Sequence, residues 1–220
     1  MRIFSYFIVF IMLTGSVCSQ TTRDWKISDY LQNLPKQYKT YEGDIPEPTD
    51  EYTFIDVRNG YAAYLMSPNG NPDEYFFEMA MFKPKKGEPT LVVSNYKYDF
   101  VCFDYDTFFL QKQGSKWVDV KSDVLPVLTE KMFFADSEAY DYYVKQKEKF
   151  GDKVSGLVMH FYPPRSGTVM NVNLELCDYV DDSIVESDAN NYRTITDALK
   201  TISLSWNKET GKFEVIPEED

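Results

Sequence analysis

From Glu51 to Val120 the chain alternates short apolar runs with polar turns. The runs "YTFIDV", "GYAAYLM", "YFFEMAMF", "TLVVSNY", "FVCFDYDTFFLQ" and "KWVDV" are broken by "RNG", "SPNGNPDE", "KPKKGEP" and "KQGS". Branched and aromatic side chains fit a pleated, half-buried surface, while Gly, Pro and Asn make tight reversals. The spacing therefore predicts strands joined as an antiparallel meander. The same texture returns in "GLVMHFY", "TVMNVNLELC" and the hairpin "ISLSWNKETGKFEVI". Between Ser122 and Gly151 the period becomes helical. Asp136 or Ser137 caps a run in which Ala139, Tyr140, Tyr143, Val144 and Phe150 share one face, with Gly151 as the stop. A shorter helix capped by Asp24 is predicted, with Trp25, Ile27, Tyr30, Leu31 and Leu34 at helical spacing and Pro35 ending it.

Two stretches look alike. Phe82 and Pro84 match Phe161 and Pro163, and Thr90 to Asn95 match Thr168 to Asn173 after a one-residue slip. Further on, residues 109–120 match residues 203–215 as hairpins that close on Lys, an aromatic and Val. Collinear matches imply an internal duplication. The reading is an α+β fold, mainly antiparallel hairpins packed on a central amphipathic helix, with two related β-rich halves. Its boundaries are a leader over 1–19, an N-terminal helix and linker over 20–50, a first half over 51–120, a helical spacer over 121–151 and a second half over 152–220. The aromatics of "YKYDF" and "FDYDTFF" fall on both strand faces, so part of them must meet a second layer.

The leader sets the expected compartment. Arg2, an apolar stretch from Ile3 to Leu13 interrupted only by Ser5, and small residues at Val17 and Ser19 predict a secretory signal cut before Gln20. Lipid attachment at Cys18 is the disfavoured alternative, because Val17 fits poorly before a lipidated cysteine. No other run reaches the ~18 apolar residues of a membrane helix. The predicted location is periplasmic or extracellular, and the absence of any Asn-x-Ser/Thr acceptor favours a bacterial envelope.

Charge removes one function class. Arg2 is the leader's only charged residue, so the mature chain carries 35 acidic against 22 basic side chains. With no basic stripe visible in the sequence, that field repels polyanions, and nucleic acid is not an expected partner. Cys102 and Cys177 are candidates for a disulfide in an oxidising compartment, with two buried free thiols as the alternative.

Catalytic and metal signatures are sparse. The single histidine, His160, shares a strand face with Val158 and Tyr162 and reads as a structural residue. One His and two distant Cys cannot make a zinc motif. Ser94 and Lys97 spell Ser-x-x-Lys, but on a strand rather than the helix that arrangement needs. Asp99, Asp104 and Asp106 are the candidate hydrolytic carboxylates, since glycoside hydrolysis needs two facing acids. Residues 69–74 and 178–188 are oxygen-rich enough to be considered for calcium, yet lack the EF-hand spacing. No cofactor and no metal are expected.

The leader ending in Cys-Ser-Gln, the hairpin "GSKWVDV" running into "KSDVLP", and the closing "SWNKETGKFEV" resemble uncharacterised exported proteins of Bacteroidetes-type bacteria. The resemblance implies an envelope or extracellular location and supplies no activity or site residues. The expected function is a non-catalytic binding module for a protein or glycan, with a carboxylate-dependent hydrolase as the alternative.

Overall fold

The apolar runs become ten strands in a computed structural model that describes residues 24–39, 53–66, 74–98, 103–150, 157–176 and 195–217. The leader, the arm over 41–50, Cys102, Cys177 and the acidic stretch 178–188 lie outside these residues. In chain order the elements are α1 (Ile27–Asn33), β1 (Thr53–Asp56), β2 (Tyr61–Met66), β3 (Glu74–Phe82), β4 (Thr90–Tyr98), β5 (Phe103–Gln113), β6 (Lys116–Asp119), α2 (Lys121–Val124), α3 (Ser137–Phe150), β7 (Leu157–Tyr162), β8 (Val169–Leu176), β9 (Ile202–Asn207) and β10 (Lys212–Val215). The fold is β-rich, with two antiparallel sheets and a few short helices. β1 to β6 form one sheet in chain order, and β10-β9-β8-β7 form the other.

The two sheets bury their faces against each other. Phe82, Val92 and Phe109 of the six-stranded sheet share one core with Phe161, Val172, Leu204, Trp206 and Phe213 of the four-stranded sheet. Phe109 lies edge-on to Phe161 at 5.3 Å and to Phe213 at 6.0 Å, and Phe82 meets Phe213 at 4.8 Å. Burial of this aromatic surface is the main stabilising term.

The far face of the six-stranded sheet is covered too. Ile27, Tyr30 and Leu34 of the N-terminal segment pack on Tyr64, Phe77, Met79, Leu91, Val93 and Leu110. β3 and β4 are therefore apolar on both faces, which is why their sequences show no clean alternation. This helix is the second layer the aromatic pattern required. Its cap differs from the expected one: Lys26 is the N-cap, and its backbone N–H donates to the Asp29 carboxylate at 2.7 Å, so Asp24 does not cap it. The outer face of β9, by contrast, is polar, and burial alternates strictly along Ile202–Asn207.

The longer helix is not central. α3 begins as expected, with the Asp136 carboxylate accepting the Ala139 N–H at 2.8 Å. Among its described side chains the one fully buried is Tyr143, which packs with Phe134 and Ile195 in a satellite cluster, while Ala139, Tyr140 and Val144 are half-buried and Phe150 is described in its backbone alone. The reason is that the sheets hold enough large side chains to satisfy one another, leaving α3 to flank them.

The residue matches between halves do not survive pairing. Each half contains a four-strand meander, β3 to β6 and β7 to β10, as any hairpin series can. Phe82 lies opposite Thr90, however, whereas Phe161 lies opposite Val172, four residues beyond the Thr168 that the sequence match sets in Thr90's place. Trp117 turns toward α1 while Phe213 points between the sheets. A one-residue slip reverses every side chain on a strand, and the Lys-aromatic-Val match had hidden such a slip.

Candidate functional site

In an antiparallel meander alternate turns share one end, and four connections meet here at one end of the sandwich: 57–60, 83–89, 163–168 and 208–211. Each is fixed locally. Gly60 adopts φ +68°, which side chains rarely tolerate, and its carbonyl accepts the Met81 N–H at 2.8 Å. Asp56 accepts the Asn59 backbone N–H at 3.0 Å and side-chain N–H at 2.8 Å, and these bonds hold its carboxyl below the usual range.

The loops are also tied across the two sheets. The Lys85 N–H donates to the Lys208 carbonyl at 2.7 Å, and the Trp206 indole N–H donates to the Lys83 carbonyl at 3.2 Å. The Lys85 ammonium meets the Glu209 carboxylate at 3.0 Å. Between them runs an open groove of about 600 Å³, lined by Arg58, Lys83, Lys85, Thr168 and Lys208 above a floor of Phe82 and Trp206.

The electrostatics of this end oppose those of the chain. The four loops carry Arg58, Lys83, Lys85, Lys86, Arg165 and Lys208 against only Glu88 and Glu209, on a protein of formal charge -12. All six cations are exposed. The expectation that no basic stripe offsets the acidic field holds along the sequence but not in space, because folding gathers cations that the sequence scatters. The readable signal was a basic residue in four of the five alternate turns, the Gly114–Ser115 turn being the exception.

A second polar cluster involves β2, β3 and β4 of one sheet and β7 and β8 of the other. His160 is 2% exposed, with Nδ1 3.5 Å from the Glu175 Oε1 and its ring 5.4 Å from Tyr96 and 3.9 Å from Tyr162. The Tyr162 hydroxyl donates to Glu175 at 2.6 Å, and the Tyr61 hydroxyl donates to Glu78 at 2.5 Å. Burial, reinforced by those bonds, pushes the Tyr61 and Tyr162 phenols far above their ordinary pKa, so they remain neutral donors. His160 does share a face with Tyr162, as the alternation requires.

The sequence's carboxylate candidates do not assemble. Asp99 lies outside the described residues, Asp104 is described in its backbone alone, and Asp106 is exposed opposite Asn95. Glu78 and Glu175, which strand alternation gave no reason to single out, are the acids with tyrosine partners. Ser94 is buried on β4, its hydroxyl 3.5 Å from that of Thr107 on β5, and a strand is not the helix that Ser-x-x-Lys needs. The considered calcium stretch 178–188 lies wholly outside the described residues, as do positions 69–73. Among the described residues no group of three or more His, Cys, Asp or Glu is placed to hold a metal, and no helix is long and apolar enough to cross a membrane.

No family model matches the chain, and no curated protein matches it. Among solved structures it is similar to a domain of an uncharacterized protein from Porphyromonas gingivalis W83, at 12% identity and a TM-score of 0.47, over 72% of this chain and 71% of that one.

Proposed function

We propose that the chain is an exported, non-catalytic interaction module whose working surface is the four-loop end of the sandwich. Its partner carries clustered negative charge, with a protein or a glycan as the carrier expected from the sequence. The single observation behind this reading is the convergence of six exposed cations on loops stitched together by cross-sheet bonds, in a chain that is otherwise acidic. Long-range attraction to such an end speeds encounter, and pre-formed loops lower the ordering cost of docking. The leader pattern supports export. Among the described residues, Glu78 and Glu175 accept tyrosine hydroxyls, an arrangement that ties strands together and does not by itself favour a carboxylate-dependent hydrolase.

Calorimetric titration with a sulfated polysaccharide tests the reading. Reversing three charges, Arg58→Glu with Lys83→Glu and Lys208→Glu, is expected to weaken binding by about tenfold or more and to flatten its salt dependence. Affinity unchanged in the triple variant would contradict it. All three side chains are exposed, so the melting temperature should hold within a few degrees.

A further inference from the structure

The same end is apolar as well as cationic. Phe54, Ile55, Val57 and Val169 are 38%, 42%, 45% and 44% exposed, and they are four of the six large hydrophobic side chains exposed among the described residues. Phe54 and Ile55 lie on β1, Val57 opens the turn into β2, and Val169 follows directly on the basic 163–168 loop. Arg165 spreads over this edge, with its guanidinium carbon 3.9 Å from the centre of the Phe54 ring. This is a cation–π contact, and it sets a fixed positive charge beside exposed aliphatic side chains, the pairing of charge and apolar surface found at a lipid interface.

We propose that this end seats on an anionic lipid surface, the headgroup layer meeting the six cations and the Ile55 and Val57 side chains, which share a face of the chain opposite Phe54, entering the acyl boundary. The inference rests on the reading of the loop end as the working surface and changes the carrier of the negative charge. A glycan could stack on Phe54 but has little to gain from the aliphatic Ile55, Val57 and Val169, and the groove's own aromatics, Phe82 and Trp206, are only 3% and 5% exposed. A bilayer serves both halves of the surface, and each cation held near anionic headgroups strengthens attachment about fivefold.

Residues 20–220, which contain every described element, would be sedimented with vesicles of phosphatidylcholine alone and of equal parts phosphatidylcholine and phosphatidylglycerol. Binding is expected to the mixed vesicles alone and to fall as salt is raised. Lys83→Glu with Lys208→Glu should weaken it about twentyfold or more, from the two lost charges alone. Ile55→Ser, outside the groove, should also weaken vesicle binding while leaving affinity for the sulfated polysaccharide unchanged, a split that simple charge attraction does not produce. If the polysaccharide binds at the groove but neither vesicle does, the lipid proposal falls and the working surface stands with a protein or glycan partner. If neither probe binds, both fall.

Discussion

Replacing Phe109 by Ala should cost about 3–5 kcal/mol, the ordinary penalty for emptying a large aromatic site that cannot collapse. Phe109 is 0% exposed and sits where both sheets meet, between Phe161 and Phe213. Neither neighbour can move inward without breaking its own ladder, so a cavity persists and its lining loses contacts. Against a usual domain stability of about 5–15 kcal/mol this is a large fraction. In urea the midpoint should fall with the slope unchanged, since the area exposed on unfolding is nearly the same. Phe108, one residue earlier, faces the α1 layer and is only half-buried against Tyr38, so Phe108→Ala should cost less. Equal penalties, or a Phe109→Ala cost below about 1 kcal/mol, would mean that the sheets do not rest on each other there.

The second large effect is alkaline unfolding. Burial raises the phenols of Tyr61, Tyr64, Tyr96 and Tyr162 well above their ordinary pKa, with hydrogen bonding to Glu78 adding for Tyr61 and to Glu175 for Tyr162. In the unfolded chain these phenols release protons near pH ~10, while the folded chain retains them. Above that pH the unfolded state binds fewer protons than the folded one, so stability falls as pH rises. It is fully present below about pH 10 and lost beyond it, at up to ~1.4 kcal/mol per pH unit for each phenol still held neutral. Tyr61 and Tyr64 are buried, whereas Tyr96 and Tyr162 are half-buried and solvent screening discounts their share, so the four together lose less than about 5 kcal/mol per unit, still a large fraction of an ordinary domain's stability. Unfolding midpoints measured across that range, with phenolate absorbance recorded in parallel, check this. Tyr64→Phe removes one group whose shift comes from burial alone and should shallow the slope by roughly a quarter. Phenolate appearing in the native protein at the ordinary tyrosine pKa, with stability flat, would contradict the account.

Much of the fold was legible because strands announce themselves twice, by their own alternation and by the turns around them. β2, β4 and β6 begin within one residue of the expected runs. β3 and β4 were recognisable as strands but not as doubly covered ones until α1 was placed, since a continuous apolar run reads the same whatever covers it. The position of α3 was not legible. Its apolar face requires burial somewhere, and only the sizes of the facing sheets decide whether that lies between them or beside them. The duplication misled because Gly- and Pro-rich hairpins share composition, whereas register is fixed by cross-strand pairs that the eye does not align.

The candidate site was half legible. Lys83, Lys85 and Lys86 make one visibly basic turn, but Arg58, Arg165 and Lys208 stand singly in theirs, and no local window shows that these turns meet. Chain parity could have found them, because the β1–β2, β3–β4, β7–β8 and β9–β10 turns converge once each sheet is read as a meander. Glu78 and Glu175 were not accessible to such reasoning, as nothing local marks the tyrosine that will bond each one.

A titration of isotopically labelled protein with the sulfated polysaccharide, followed by amide chemical shifts, tests the working surface most directly. The account expects shifts confined to residues 57–60, 83–89, 163–168 and 208–211, absent when Arg58, Lys83 and Lys208 are all reversed to Glu. Shifts centred instead on β7 and β8 around His160 and Glu175, or spread over the α1 face, would contradict it.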